Sequence, residues 1–262
     1  MVTVITVVYN CAAELTRTVE SVLAQNCACL EYVIVDGGST DGSVDVLRHH
    51  ERRLASWISE PDQGIFDAMN KGINLAHGEW IIFMNAGDRF CDDAVVSSIL
   101  PILSQSTPTI LYSDTLVDYG NYTVNRRAGS PEQLWKGSQF CHQSAFIRRV
   151  YHSAHPYNAA NRLCADFEFF HGAWHAGRQF LKIDGPIAVI TPDGVSDRHQ
   201  FEVLTEWRRI VIRARTGLRV RAYYAFRILM TRVALRVRQR LPRKLLQQAR
   251  QGRACLARLL AH

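Results

Sequence analysis

Val33-Ile-Val-Asp-Gly-Gly-Ser-Thr-Asp-Gly42 is the stretch whose reading decides the fold. Three apolar, β-branched residues end at a carboxylate, and two glycines follow it at once. Such a run reads as a strand of a sheet buried on both faces. A carboxylate at the carboxyl end of a parallel strand sits in the crevice where open α/β sheets take their ligands. Glycines beside it let backbone amides approach a phosphate closely.

Two further segments repeat the theme. Asp62-Gln-Gly-Ile-Phe-Asp-Ala-Met-Asn-Lys-Gly72 and Trp80-Ile-Ile-Phe-Met-Asn-Ala-Gly-Asp88 also set acidic residues beside glycine, the second directly after an apolar run. Periodicity predicts strands over residues 2–9, 31–36, 55–59 and 80–84, and helices over 14–25, 43–50 and 67–77. Strands that alternate with helices give a parallel sheet. Beyond Asp88 the spacing predicts a helix over 92–103, a strand pair over 109–118 and 122–126 turning at Gly120-Asn121, a helix over 163–176 and a strand over 182–190.

Composition adds an asymmetry. Residues 205–262 hold 16 of the 31 Lys and Arg but only Glu206 of the 24 acidic residues. The expected organisation is therefore a catalytic-type domain over 1–204 and a basic amphipathic helical extension over 205–262. In that extension Phe226, Met230, Val233, Val237 and Leu241 share one helical arc, Arg221, Arg232, Arg236, Arg240 and Arg243 lie off it, and Pro242 is expected to break the helix before a second one over 244–260. With Trp207, Tyr223 and Tyr224 as aromatic anchors, the pattern suits a helix lying on an anionic membrane surface. Seven cysteines without a Cys-x-x-Cys pair read as reduced thiols, against both a disulfide framework and a zinc site. The start lacks a signal-peptide pattern and no apolar run reaches about 18 residues, so the expectation is a cytoplasmic protein, peripheral on the inner face of the cytoplasmic membrane.

Thr6-Val-Val-Tyr-Asn10, the Asp36–Ser43 turn, Asp62-Gln-Gly64, Asp67-Ala-Met-Asn-Lys-Gly72 and Asn85-Ala-Gly-Asp88 follow the order found in family 2 glycosyltransferases, and the chain resembles their small bacterial, non-processive members over roughly residues 3–205. The resemblance implies the GT-A fold, a mainly parallel central sheet flanked by helices. It also implies inverting transfer of one hexose or N-acetylhexosamine from a nucleotide donor, UDP-linked by preference, to an acceptor. The basic tail and the lack of a signal pattern suggest that this acceptor is a lipid-linked glycan of bacterial surface polysaccharide synthesis. The Gln-x-x-Arg-Trp motif and membrane spans of processive synthases are missing from the sequence.

Residue by residue, the resemblance implies a donor site of Tyr9, Asn10, Asp36, Asp41, Asp67 and Lys71, completed by Asn85, Gly87 and Asp88. Asp36 can accept from a base imide or a ribose hydroxyl. Asn85-Ala-Gly-Asp88 stands where relatives carry an Asp-x-Asp cluster, which leaves Asp88 as the charged ligand for Mn²⁺ or Mg²⁺, cations that one or two carboxylates can hold together with substrate phosphate. Asp166 matches the catalytic base, and Glu168, about 200° round the helix, cannot share its task. His142, Gln143 and His199 are candidates for contact with acceptor or diphosphate. Two rival readings are a nucleotide-sugar-binding protein without catalysis and a nucleic-acid-binding protein using the basic tail.

Overall fold

The computed structural model describes residues 1–105, 108–192, 194, 198–214 and 217–240. The described strands form one nine-stranded sheet. They are β1 Val2–Val8, β2 Leu30–Asp36, β3 Ser56–Ser59, β4 Trp80–Phe83, β5 Arg89–Phe90, β6 Ile110–Asp118, β7 Thr123–Arg126, β8 Ala145–Arg148 and β9 Phe180–Ile190. Their order is β3-β2-β1-β4-β8-β6-β9-β5, with β7 paired to β6.

The first four strands pair in parallel, because each connection carries a helix: α1 Ala12–Leu23, α2 Ser43–His50 and α3 Ile65–Leu75. Every residue of β1 and β4 is buried, as a sheet covered on both faces requires. Gly72 permits the close seating of α3, since a Cβ there would lie 2.5 Å from the Ile5 side chain. The second half is mixed: β8 runs antiparallel between β4 and β6, while β6 and β9 are parallel.

Direction along the sheet decides where function gathers. The carboxyl ends of β1, β2, β4, β6 and β9 share one edge, and the reversed β8 brings its amino end to that same edge. Helices α1, α2 and α4 (Val95–Gln105) cover one face; α3, α5 (Arg149–Ala154) and α6 (Ala165–His175) cover the other.

Among the described residues two helices follow β9, α7 Gln200–Ala214 and α8 Leu218–Arg240. The composition shift at Thr205 falls inside α7, whose Val203, Leu204, Ile210 and Val211 form a third core with Leu134, Phe167 and Tyr224. Trp207 lies over Gly137, where a Cβ would stand 2.3 Å from the indole. Tyr224 is fully buried and Tyr223 packs edge-on against Trp135. These three aromatics therefore fasten the helices to the body, and the sequence expectation that they anchor a membrane is corrected. The other face of α8 is different: Phe226, Leu229, Met230 and Val233 are 61%, 59%, 49% and 44% exposed. Leu241, Pro242, Arg243 and the helix expected over 244–260 lie outside the described residues.

Candidate active site

The site begins at the end of β2. Asp36 is buried, and its Oδ2 accepts from the amides of Gly38 and Ser39 at 3.1 and 2.9 Å and from the Ser59 hydroxyl at 2.6 Å. Its Oδ1 is also buried and has no hydrogen-bond partner among the described residues. A buried carboxylate oxygen left unpaired is costly unless something completes it. Gly37 lets the Asp36 turn, the Asp62 segment and Tyr9 converge: a Cβ there would lie 2.3 Å from Asp62 Oδ2 and 3.3 Å from the Tyr9 ring. Tyr9 itself is 62% exposed, a free aromatic face beside the Asp36 turn.

The neighbouring residues shape the loop. Asn10 adopts φ of 50°, a left-handed conformation that Asn tolerates better than most residues. Its Oδ1 accepts from the Thr40 amide at 2.8 Å, and its own amide donates to Ser39 Oγ. Asp41 accepts from the Ala12 amide, at the start of α1, and from the Ser43 amide and hydroxyl at the start of α2. The Ser43 hydroxyl first, then the amides, hold its carboxyl below the usual carboxylate range. Asp67 accepts from the Gln63 amide at 3.0 Å, and Lys71 pairs with Glu60 at 2.7 Å. The side chains of Asp41, Asp67 and Lys71 are thus engaged within the protein.

After β4 the Asn85–Asp88 turn closes with the Asp88 amide donating to the Asn85 carbonyl at 2.9 Å, with Gly87 at φ 103°. Thr18 of α1, which no sequence signal marked, staples it: its hydroxyl donates to the Asp88 carbonyl at 2.7 Å and accepts from the Gly87 amide at 3.0 Å.

A short 3-10 helix, His142–Ser144, faces this turn. Gln143 Nε2 donates to Asp88 Oδ2 at 3.0 Å. His142 Nε2 lies 3.2 Å from Asn85 Nδ2, and its Nδ1 lies 3.1 Å from Oδ2 of Asp166 in the first turn of α6. Ser144 is held in turn by the Thr115 hydroxyl at 2.7 Å and the Ala188 amide. Glu168 points elsewhere and accepts from Asn161 Nδ2 at 2.9 Å. Asn70 stands in the Asp67–Gly72 motif, but sequence reasoning gave it no role of its own. It exchanges two hydrogen bonds with the Tyr157 backbone and so fixes the segment that leads to Asp166. His199 stands exposed ahead of α7, outside this bonded set.

Electrostatics single out Asp88. Burial pushes its carboxyl up to about 6, against the pull of the Gln143 hydrogen bond and of His142. Asn85 Oδ1 is buried and has no hydrogen-bond partner among the described residues. An under-compensated carboxylate beside a free amide oxygen is a donor set that suits a hard divalent cation sharing its shell with phosphate oxygens. Among the described residues no group of three His, Cys, Asp or Glu side chains could hold a metal by itself.

Comparison with known proteins agrees with this architecture. The family model for glycosyl transferase family 2 matches residues 3–164. A mycobacterial PGL/p-HBAD biosynthesis glycosyltransferase (Mycobacterium tuberculosis) is 31% identical over 174 residues, 64% of this chain and 68% of the relative. The putative teichuronic acid biosynthesis glycosyltransferase TuaG of Bacillus subtilis is 28% identical over 137 residues, 51% of this chain and 54% of TuaG. Among solved structures, the mannosyltransferase PcManGT from Pyrobaculum calidifontis, in complex with GDP-Man and Mn²⁺, aligns with TM-score 0.66 at 17% identity, over 99% of this chain and 82% of its own. Residues 1–349 of S. aureus TarS in complex with UDP-GlcNAc align with TM-score 0.63 at 15% identity, over 80% of this chain and 66% of that one. The chain spans 39% of the longer TarS chain. With the family matched across most of its length and the GT-A architecture in place, the protein is a glycosyltransferase and belongs to glycosyl transferase family 2.

Proposed function

We propose that the protein moves one hexose or N-acetylhexosamine, with inversion, from a nucleotide-linked donor to a hydroxyl of a lipid-linked glycan in bacterial surface polysaccharide synthesis. The observation that carries this reading is the bonded row Asn85, His142, Asp166 beside Asp88, which sets a candidate base next to a candidate diphosphate site.

The donor half rests on Asp36 and Tyr9. The unpaired Asp36 Oδ1 suits a base imide or a ribose hydroxyl, and the exposed Tyr9 ring suits stacking on the base. Asp41, Asp67 and Lys71 serve by holding the donor loops, and His199 is assigned to the acceptor side. Mn²⁺ or Mg²⁺ would be held by Asp88 and Asn85 Oδ1, and when bound it supplies Lewis-acid neutralisation of the departing diphosphate. Asp166 takes the proton from the acceptor hydroxyl. That oxygen then bonds to the anomeric carbon opposite the leaving group, and the nucleoside diphosphate departs with the electron pair of the broken bond.

The fold is shared both with TarS bound to UDP-GlcNAc and with PcManGT bound to GDP-Man, and the UDP-linked donor is the reading preferred between them. A biosynthetic role accords with the names of the mycobacterial and Bacillus relatives, and the lipid-linked acceptor rests on the basic tail. No described helix is long and apolar enough to cross a membrane. Residues 205–262 instead suit peripheral attachment to the inner face of the cytoplasmic membrane. In α8, Val220, Tyr224 and Ile228 face the body, while Phe226, Leu229, Met230 and Val233 project on the opposite side among arginines with no acidic residue in the helix. Apolar area flanked by cations binds anionic lipid, and a second copy of the same basic face would repel it.

The test is calorimetric titration of UDP and GDP with and without Mn²⁺, into wild type and Asp88→Ala, beside flotation with phosphatidylglycerol vesicles. The expected result is metal-dependent nucleotide binding that Asp88→Ala abolishes, and vesicle binding that Phe226→Asp with Met230→Asp abolishes. Absence of binding by either nucleotide would overturn the donor-site reading; vesicle binding unchanged in the double variant would overturn the membrane reading.

A further inference from the structure

Two unexplained facts meet at His142. It is the one described side chain that bonds both to the candidate base, Asp166, and to the diphosphate turn, through Asn85. The Asn85 oxygen, meanwhile, is buried with nothing to accept from. We propose that His142 is a positioning residue that sets the orientation of the Asn85 amide, so that base and cation ligand are fixed by one imidazole.

The deduction runs through donors and acceptors. An ionised Asp166 can only accept, so the imidazole nitrogen facing it, Nδ1, carries the proton. In the neutral ring the other nitrogen, Nε2, is then an acceptor. Of the two ends of the Asn85 amide only Nδ2 can donate to it, and the structure has Nδ2 there, at 3.2 Å. The carbonyl Oδ1 is thereby kept off the imidazole and left as the free acceptor of the turn. With Nδ1 bare and Nε2 protonated, the amide would turn round, spend Oδ1 on the ring and present an N–H₂ group to the cation instead.

The scaffold is built to hold the imidazole still. His142 begins the 3-10 helix whose Ser144 is pinned by Thr115 and by the Ala188 amide, while the neighbouring Gln143 ties the same helix to Asp88. The Asn85–Asp88 turn is fixed from the other side by Thr18. Residues one step behind a metal ligand commonly change metal affinity by about 10- to 100-fold when removed. This role rests on the donor-site reading above and adds to it a division of labour: Asp166 acts on the acceptor, and through His142 it also governs how the donor is held.

The test combines two measurements on the full chain. Imidazole nitrogen NMR should find the His142 proton on Nδ1 in the wild type. Calorimetry with UDP should show His142→Ala losing about tenfold or more of the Mn²⁺-dependent affinity, with metal-free UDP affinity unchanged. His142→Gln, whose side-chain oxygen can still accept from Asn85, should restore the Mn²⁺-dependent affinity. A proton on Nε2, an unaltered Mn²⁺ dependence in His142→Ala, or His142→Gln as weak as His142→Ala would overturn the proposal. Failure of the wild type to bind UDP would remove the donor-site reading first, and the positioning role with it.

Discussion

Gln143 Nε2 donates to Asp88 Oδ2 at 3.0 Å, so the carboxylate on the β4 turn is aimed by a residue 55 positions further along the chain. Burial still outweighs that bond and holds the Asp88 carboxyl up at about 6. A carboxyl whose folded value lies above its unfolded one contributes stability in the protonated form, and that contribution is lost as pH rises through about 6. Asp88→Asn, whose amide oxygen can still accept from Gln143, should therefore raise the melting temperature of the ligand-free protein at pH 8. The gain is about 2–4 °C for each kcal/mol recovered in a chain of this size. It should also abolish metal-dependent nucleotide binding. Thermal melts of both forms at pH 5 and pH 8 check this; a variant no more stable at pH 8 than wild type contradicts it.

The same carboxyl predicts how donor binding depends on pH. A cation needs the ionised form, so Mn²⁺-dependent UDP affinity should hold above pH 7 and fall below about 6, approaching tenfold per pH unit. Titrations at pH 5, 6, 7 and 8 read it directly. Metal-free UDP affinity should stay level over the upper part of that range.

Asp166→Asn removes the proton acceptor and keeps an oxygen that can accept from His142 Nδ1. Nucleotide affinity with Mn²⁺ should remain close to wild type, while sugar transfer to membrane-extracted acceptors falls by about 100- to 10,000-fold. Comparable losses in binding and transfer would place Asp166 in the donor site rather than on the acceptor.

Away from the site, His152 is fully buried and stacks on Phe169 with ring centroids 4.3 Å apart, and burial pushes its imidazole down to about 4. A base depressed in the folded state must bind a proton on unfolding, so stability is complete above about pH 6.5 and is lost as pH falls towards about 4. The loss amounts to about 3 kcal/mol over that window. His152→Phe should flatten the acid limb of a stability-against-pH curve measured by urea unfolding; an unchanged acid limb would exclude His152 as its source.

The N-terminal half of the fold was legible because its signals are local. A β-branched run followed by Asp and Gly marks both a strand and its ligand-facing end, and β1 to β4 with their helices fall where periodicity put them. Expected starts for α1 and α3 ran about two residues late, since Ala12 and Ile65 sit ahead of the first residues that read as helical. The second half was legible only in part. Strand β8 has four residues, β5 has two, and each is defined by partners distant in sequence. No window of sequence contains the information that sets them.

Site residues divide the same way. Asp88, Asp166, His142 and Gln143 were named from sequence, and they meet in one bonded group. Asp41 looked identical to Asp36 as an acidic residue beside glycine, yet both its oxygens accept from helix starts, a distinction only three-dimensional geometry makes. Thr18 carries no signal, and Asn70, though inside the Asp67–Gly72 motif, carries none for its role, because a helix-borne Thr or Asn reads as surface until its partner is placed. In the tail, the arc through Phe226, Met230 and Val233 was visible, but Tyr224 was read as a membrane anchor, whereas it is buried with Val220 against the body.

The reversed strand β8 has a consequence for the order in which the protein becomes competent during synthesis. Strands β1, β2, β3 and β4 all lie within the first 83 residues, whereas β8, which matches Arg148 with Trp80, begins only at Ala145. A nascent chain can thus pair its first four strands before the segment bearing His142 and Asp166 has left the ribosome. On the proposed assignment of Asp166 as base, the donor side is thus complete before the residue that would act on the acceptor, and chain order alone separates the two in time.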